Sequence, residues 1–179
     1  MYSFPSRLLH WSMAALIGAA FALAWMREEL PKGDLRTAML DWHQWAGLAI
    51  LILLAFRVAE RFRKPAPALA GPVWQRLAAR AVEGSLYVLM LVQPLLGWLQ
   101  ASLKGRAVSL FGSALPSLAA PDRGLAKQIG GLHETAGWVI LALVALHVAA
   151  TLYHRFWKHD DVLASMLGRR ARAGYGLRG

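Results

Sequence analysis

Four helix-compatible stretches of the chain carry no Asp, Glu, Lys or Arg: Leu8–Met26, Trp42–Phe56, Gly84–Leu103 and Thr135–His154. About 20 apolar residues in helical conformation cross the hydrocarbon core of a bilayer, so this pattern predicts four transmembrane helices. The second stretch has only 15 uncharged residues. Val58 and Ala59 extend it, and Arg57 either snorkels or meets an internal partner, which keeps it among the spans. The expected architecture is an all-α four-transmembrane-helix bundle forming a single domain over residues 1–179, with spans near 8–26, 40–60, 82–103 and 130–156. Ala22-Leu23-Ala24 resembles the cleavage site of a leader peptide, but a lone Arg7 before so long an uncharged run fits a retained span better.

Charge orients the spans. With the N-terminus in the cytoplasm, the inner segments carry Arg7, the basic residues from Arg57 to Arg80 and those from Arg155 to Arg178, thirteen against seven for the outer segments. The positive-inside bias therefore predicts that both termini are cytoplasmic. Pro65, Pro67 and Pro72 mark an inner linker, and Phe111-Gly112 through Pro121 a longer outer loop containing turn residues.

Composition narrows the chemistry. The chain is 57% hydrophobic with a net charge of +10 and eight Trp, which points to a lipid bilayer as its anionic partner before nucleic acid. The absence of cysteine excludes disulfides, thiolate-held iron–sulfur clusters and covalently attached c-type haem. Any metal must rest on His, Met or carboxylate, and the six Met are scattered, which weakens a copper-transport reading.

The histidines are not scattered. HQWAGLAILILLAFRVA, beginning at His43, aligns without a gap on HETAGWVILALVALHVA, beginning at His133, and nine of the 17 positions are identical. In each segment a Gly follows the His by four residues, where a missing side chain lets a flat macrocycle or a neighbouring helix approach. His133 and His147 are 14 residues apart, on nearly the same helix face and separated by about 21 Å, so they cannot share one metal. Depth pairs His43 with His133 near the outer surface and His10 with His147 near the inner one. Taken singly, His10, His43 and His133 also suit interfacial, water-facing positions; His147 lies inside a span, where an ionisable group usually faces a partner or cofactor. Two axial His pairs in a four-helix core describe two low-spin b-type haem sites, with the iron as the bound metal. Arg57, which aligns with His147, is either a propionate partner or a snorkelling cation. His154 either serves a quinone pocket or faces solvent, His159 is expected to be exposed, and Glu83 and Gln93 are expected to be structural.

Several motifs carry a resemblance over nearly the whole chain: SRLLHW at Ser6–Trp11, the outer His43 with its AG pair and the ending FRVAERFR, QPLLG in the third span, LFGSALP, and LHETAG…ALHVAATLYHRFW followed by DVLASML. Together they resemble the bacterial cytochrome b561 family of inner-membrane dihaem proteins. The resemblance puts the haem ligands on His10, His43, His133 and His147. It is strongest to small stand-alone members, including one that oxidises superoxide at the periplasmic face and passes electrons to ubiquinone. It thus implies an oxidoreductase with two haem b per chain and ubiquinone as acceptor. The chain departs from the family in having only His154 before Arg155 where a His pair is frequent, and no His in the third span.

On this reading His154, Arg155, Trp157, Arg76 and Arg80 are candidates for the quinone pocket, because reduction needs a cation or proton donor beside a carbonyl oxygen. Lys32, Arg36, Lys104, Arg106, Arg123 and Lys127 are either a funnel that steers a small anion such as superoxide or a solvated loop surface. The alternatives are a cytochrome b subunit fed by a periplasmic redox partner, such as a dehydrogenase or hydrogenase, and a membrane haem carrier or sensor.

Overall fold

The computed structural model describes residues 2–65, 72–110, 112–160 and 162–168. Pro67, Phe111 and the arginines Arg169, Arg170, Arg172 and Arg178 invoked above lie outside the described residues. Four long helices, α1 (Phe4–Glu29), α2 (Asp34–Arg63), α3 (Val73–Leu103) and α4 (Arg123–Phe156), are followed by a short α5 (Val162–Met166). Between α3 and α4 a two-residue hairpin pairs β1 (Ser109–Leu110) with β2 (Ser113–Ala114).

Each helix runs past its apolar stretch because the flanking residues suit helix ends. Ser3 caps α1 by accepting from the Ser6 backbone N–H at 3.2 Å, with Pro5 in the first turn, where no intrahelical donor is required. Asp122 caps α4 through Leu125 N–H at 2.9 Å. Gly105, at φ +68°, closes α3: its N–H bonds Ser102 O, and Arg106 N–H bonds Ala101 O, both at 2.9 Å. Arg76 and Arg80, expected in a segment outside the third span, lie instead on the first turns of α3. Helix α3 continues through Pro94.

Among the described residues, α1, α3 and α4 are long and apolar enough to cross a membrane. Helix α2 is comparable in length, but its apolar stretch is followed by Arg57, Glu60, Arg61 and Arg63.

The backbones of α1 and α2 pack closely, as do those of α3 and α4, and α2 packs on α3; among the described residues α4 makes no extended backbone packing with α1 or α2. One buried cluster, Met13, Ile50 and Leu54 with Leu16, Tyr87 and Met90, joins α1, α2 and α3. A second, Leu48, Ala101 and Val108 with Trp98, Leu110 and Leu115, fastens the α3–α4 loop to the bundle. Neither cluster contains a residue of α4. Helix α4 is joined to its neighbours by close approach at glycine and by ring contacts such as Trp25–Trp138, at 6.4 Å. A Cβ on Gly137 would meet Gln93 at 3.3 Å, and on α2 one at Gly47 would meet Pro94 at 3.8 Å. The Gln93–Pro94 step of α3 is thus seated against both repeated glycines, a kind of packing that suits helices in lipid, where association rests on close fit and hydrogen bonds rather than on apolar transfer.

The two ends of the bundle differ. At the loop end, Trp45 Nε1 donates to Ser109 O at 2.8 Å, Trp98 Nε1 to Pro116 O at 3.2 Å, and Leu118 N–H to the buried Ser102 Oγ at 3.1 Å. At the terminal end, Ser3 Oγ donates to Glu60 at 2.7 Å, Arg61 pairs with Glu83 at 3.2 Å, and Trp11 Nε1 reaches Met166 O at 3.2 Å, which lays α5 against α1.

Candidate functional site

The histidines meet across the space between α4 and the α1–α2 pair. His43 on α2 faces His133 with ring centroids 6.1 Å apart, and His10 on α1 faces His147 with 6.2 Å. The planes are inclined by 78° and 61°. The partners are those expected from depth, and the 14-residue separation along α4 puts the pairs at opposite ends of the bundle.

Each pair fits a metal held by two imidazoles. An ion bonded at about 2.0 Å to one nitrogen of each ring sets the centroids roughly 6 Å apart. Among the described residues no cluster of three or more His, Asp or Glu forms, so neither pair is part of a wider metal cage. Among the described residues the α4 backbone also stands off from α1 and α2, and a planar macrocycle would need that clearance between the paired rings.

At the loop end both rings have a set tautomer. His43 Nδ1–H donates to Ala20 O at 2.8 Å and His133 Nδ1–H to Gln93 O at 3.1 Å. A ring nitrogen that gives its proton to a backbone carbonyl leaves Nε2 as the free lone pair, the arrangement that supports a metal ligand.

At the terminal end the setting is cationic. Arg57 donates Nε–H to Tyr87 OH at 3.0 Å and Nη1–H to Ser6 O at 3.4 Å, and its Nη2 lies 3.3 Å from His10 Nδ1. The guanidinium is directed into the bundle, beside the His10–His147 pair. Arg57 and His147, equivalent in the aligned repeat, thus both face His10, a geometric echo of that alignment.

His154 is half-buried and donates Nδ1–H to Asp160 Oδ2 at 2.5 Å, while Asp160 N–H returns to His154 O at 3.2 Å. The turn that brings Asp160 back passes through His159, which is exposed and has φ +53°, in the left-handed region that non-glycine residues seldom occupy. Trp157 is exposed and stacks on Tyr153 at 6.1 Å. Arg76 and Arg155 are half-buried and Arg80 is exposed.

The basic residues of the loop end separate into two sets. Lys104 and Arg106 share an electrostatic cluster with Arg27 and Arg36. Burial, with Arg106 and Arg27 next to it, pushes the Lys104 ammonium below its usual value. Arg36 donates to Leu30 O at 2.5 Å, across the end of α1. Arg123 and Lys127 are exposed on the first turns of α4. Sequence reasoning overlooked Arg27 as a member of this cluster, Asp160 as the partner of His154, and the contact between Gln93 and His133. Glu83 proves to be the ion-pair partner of Arg61.

Comparison with known proteins accords with this geometry. The prokaryotic cytochrome b561 family model matches residues 1–169. Cytochrome b561 homolog 2 of Escherichia coli (strain K12) is 30% identical over 183 residues, covering 98% of this chain and 95% of that protein. Cytochrome b561 homolog 1 of the same organism is 28% identical over 165 residues, covering 90% and 94%. A probable superoxide oxidase CybB of Yersinia pestis is 24% identical over 168 residues, covering 90% and 93%. With a family match over nearly all its length and apolar helices long enough to cross a bilayer, the chain belongs to the prokaryotic cytochrome b561 family of membrane electron-transfer proteins that use b-type haem.

Proposed function

We propose that the chain is a dihaem superoxide:ubiquinone oxidoreductase of the inner membrane, a single domain of four transmembrane helices with both termini in the cytoplasm. His43 and His133 hold one haem b at the periplasmic loop end, and His10 and His147 hold the other at the cytoplasmic terminal end. The observation that carries this reading is the pair of His–His contacts, 6.1 and 6.2 Å between centroids, joining α4 to two helices on which its backbone does not pack closely among the described residues. Helix α2 serves as the fourth crossing because Arg57, the charge that interrupts its apolar stretch, is satisfied inside the bundle by Tyr87 and Ser6.

Haem iron, held by these histidines, would supply outer-sphere electron transfer when bound. The polypeptide supplies ligation, charge and protons. Two superoxide anions lose one electron each at the periplasmic face and leave as two O2; ubiquinone gains those two electrons and two protons at the cytoplasmic face. The cluster of Arg27, Arg36, Lys104 and Arg106 attracts the anion, and Arg123 and Lys127 extend the positive field along α4. His154 and Arg155, with Trp157, Arg76 and Arg80, form the quinone end, where His154 delivers a proton. Arg57, beside His10, would offer a counter-ion to a haem propionate at this end. Arg57→Gln is expected to lower the midpoint potential of that haem by roughly 60 mV, the one-electron equivalent of a tenfold change, in a redox titration of the purified protein.

The name of the Yersinia pestis relative favours superoxide as donor over a periplasmic protein. The test combines a haem count, a dithionite-reduced minus oxidised spectrum and sequential addition of a superoxide source and a soluble ubiquinone. Two b-haems per chain, reduced by superoxide and reoxidised by quinone, are expected. Lys104→Gln combined with Arg106→Gln should slow reduction about tenfold at low salt, with a smaller effect at high salt. Two haems that ignore superoxide would instead identify a partner-fed subunit, and loosely held, sub-stoichiometric haem a carrier or sensor.

A further inference from the structure

We infer that Gln93 is a positioning residue for the loop-end site, locking the orientation of His133 through a reciprocal hydrogen-bonded clasp between α3 and α4. The inference rests on His133 being a haem ligand.

The clasp has two halves related by the same spacing. Gln93 Nε2 donates to the backbone carbonyl of His133 at 2.8 Å, and His133 Nδ1 donates to the backbone carbonyl of Gln93 at 3.1 Å. In a helix the carbonyl of residue i already accepts from the N–H of residue i+4, and its second lone pair is open only to a group that can pass the side chain at i+4. Here both i+4 positions are glycine: Gly97 follows Gln93, and Gly137 follows His133. A Cβ at Gly97 would lie 3.1 Å from His133 Cε1, and one at Gly137 would lie 3.3 Å from Gln93 Nε2. Each glycine therefore clears the path by which the other helix's side chain reaches the carbonyl four residues earlier.

Packing alone does not account for Gln93. Its Oε1 is buried without a hydrogen-bond partner, a penalty that a Leu of similar volume would not incur. The amide is useful for its donor, and the donor is spent on the main chain of a haem-ligand residue. With Nδ1 held by Gln93 O and the ring lying against Gly97, rotation of the imidazole is restricted, and Nε2 is left without the proton on the ring that faces His43. Groups at this remove from a metal orient the ligand and adjust its basicity, and their loss typically weakens metal binding 10–100-fold.

The test uses full-length protein in detergent, with the terminal-end haem as an internal standard in every sample. Gln93→Leu removes the donor and keeps the volume; Gly97→Ala retains the donor and crowds the ring. Both variants are expected to shift the low-spin EPR signal of the loop-end haem, to leave the other signal in place, and to speed transfer of the loop-end haem to apomyoglobin about tenfold or more. Unchanged EPR and transfer in both variants would overturn the role of Gln93, as would equal disturbance of both haems, which would indicate a generally loosened bundle. His133→Ala separates this from the ligand assignment. If it removes one haem while the two variants behave like wild type, only the clasp fails; if it removes none, the ligand reading fails first.

Discussion

On the proposed dihaem reading, His147→Ala is expected to leave a protein with one haem in place of two, the remaining haem keeping its low-spin spectrum. His147 is 14 residues from His133 on α4, about 21 Å along the axis, so loss of one imidazole does not reach the other site. The facing ring of His10 has no second His, Asp or Glu nearby to replace the missing ligand among the described residues. Arg57, 3.3 Å from His10 Nδ1, offers only N–H donors and no lone pair for iron. Pyridine haemochrome analysis against protein concentration measures the ratio directly. A ratio of two in the His147→Ala protein would sink the pairing of His10 with His147, whatever the activity of the sample.

The legibility of this pairing in the sequence has a physical cause. Bilayer thickness converts residue number into depth, so histidines on different helices can be matched by level before any contact is known. The in-register repeat strengthened that argument, and His10 and His147 do face each other, as do His43 and His133. Helix ends were less legible. Hydropathy marks where the apolar stretch stops, whereas Arg76 and Arg80 continue α3 because a helix does not end at a charge. Contacts between helices were the least legible. Gln93 and His133 are 40 residues apart, and the only hint was that the Gln93–Gly97 and His133–Gly137 spacings match. Asp160 escaped notice because its return to His154 depends on a turn through a non-glycine residue with positive φ, which no residue type in the sequence announces.

The second large effect is expected at that turn. Asp160 holds His154 twice, through its carboxylate on Nδ1–H and its own N–H on the carbonyl. This leaves Nε2 as the free ring nitrogen, which the proposed proton exchange with a quinone oxygen requires. A positioned acid of this kind is worth about 100-fold or more in rate. His154→Leu should therefore slow reoxidation of the reduced haems by a soluble ubiquinone about 100-fold, while haem content and reduction by superoxide stay at wild-type values. Asp160→Asn still accepts at Nδ1–H but replaces a charge-assisted bond with a weaker neutral one, so it should fall between wild type and His154→Leu, at about tenfold. Stopped-flow reoxidation separates these steps, because electron entry is completed before quinone is added. A His154→Leu protein that is reoxidised at the wild-type rate would move proton delivery away from the end of α4, toward Arg76 and Arg80 on α3. An Asp160→Asn protein as slow as His154→Leu would show that the negative charge of Asp160, rather than the orientation it imposes, makes His154 competent.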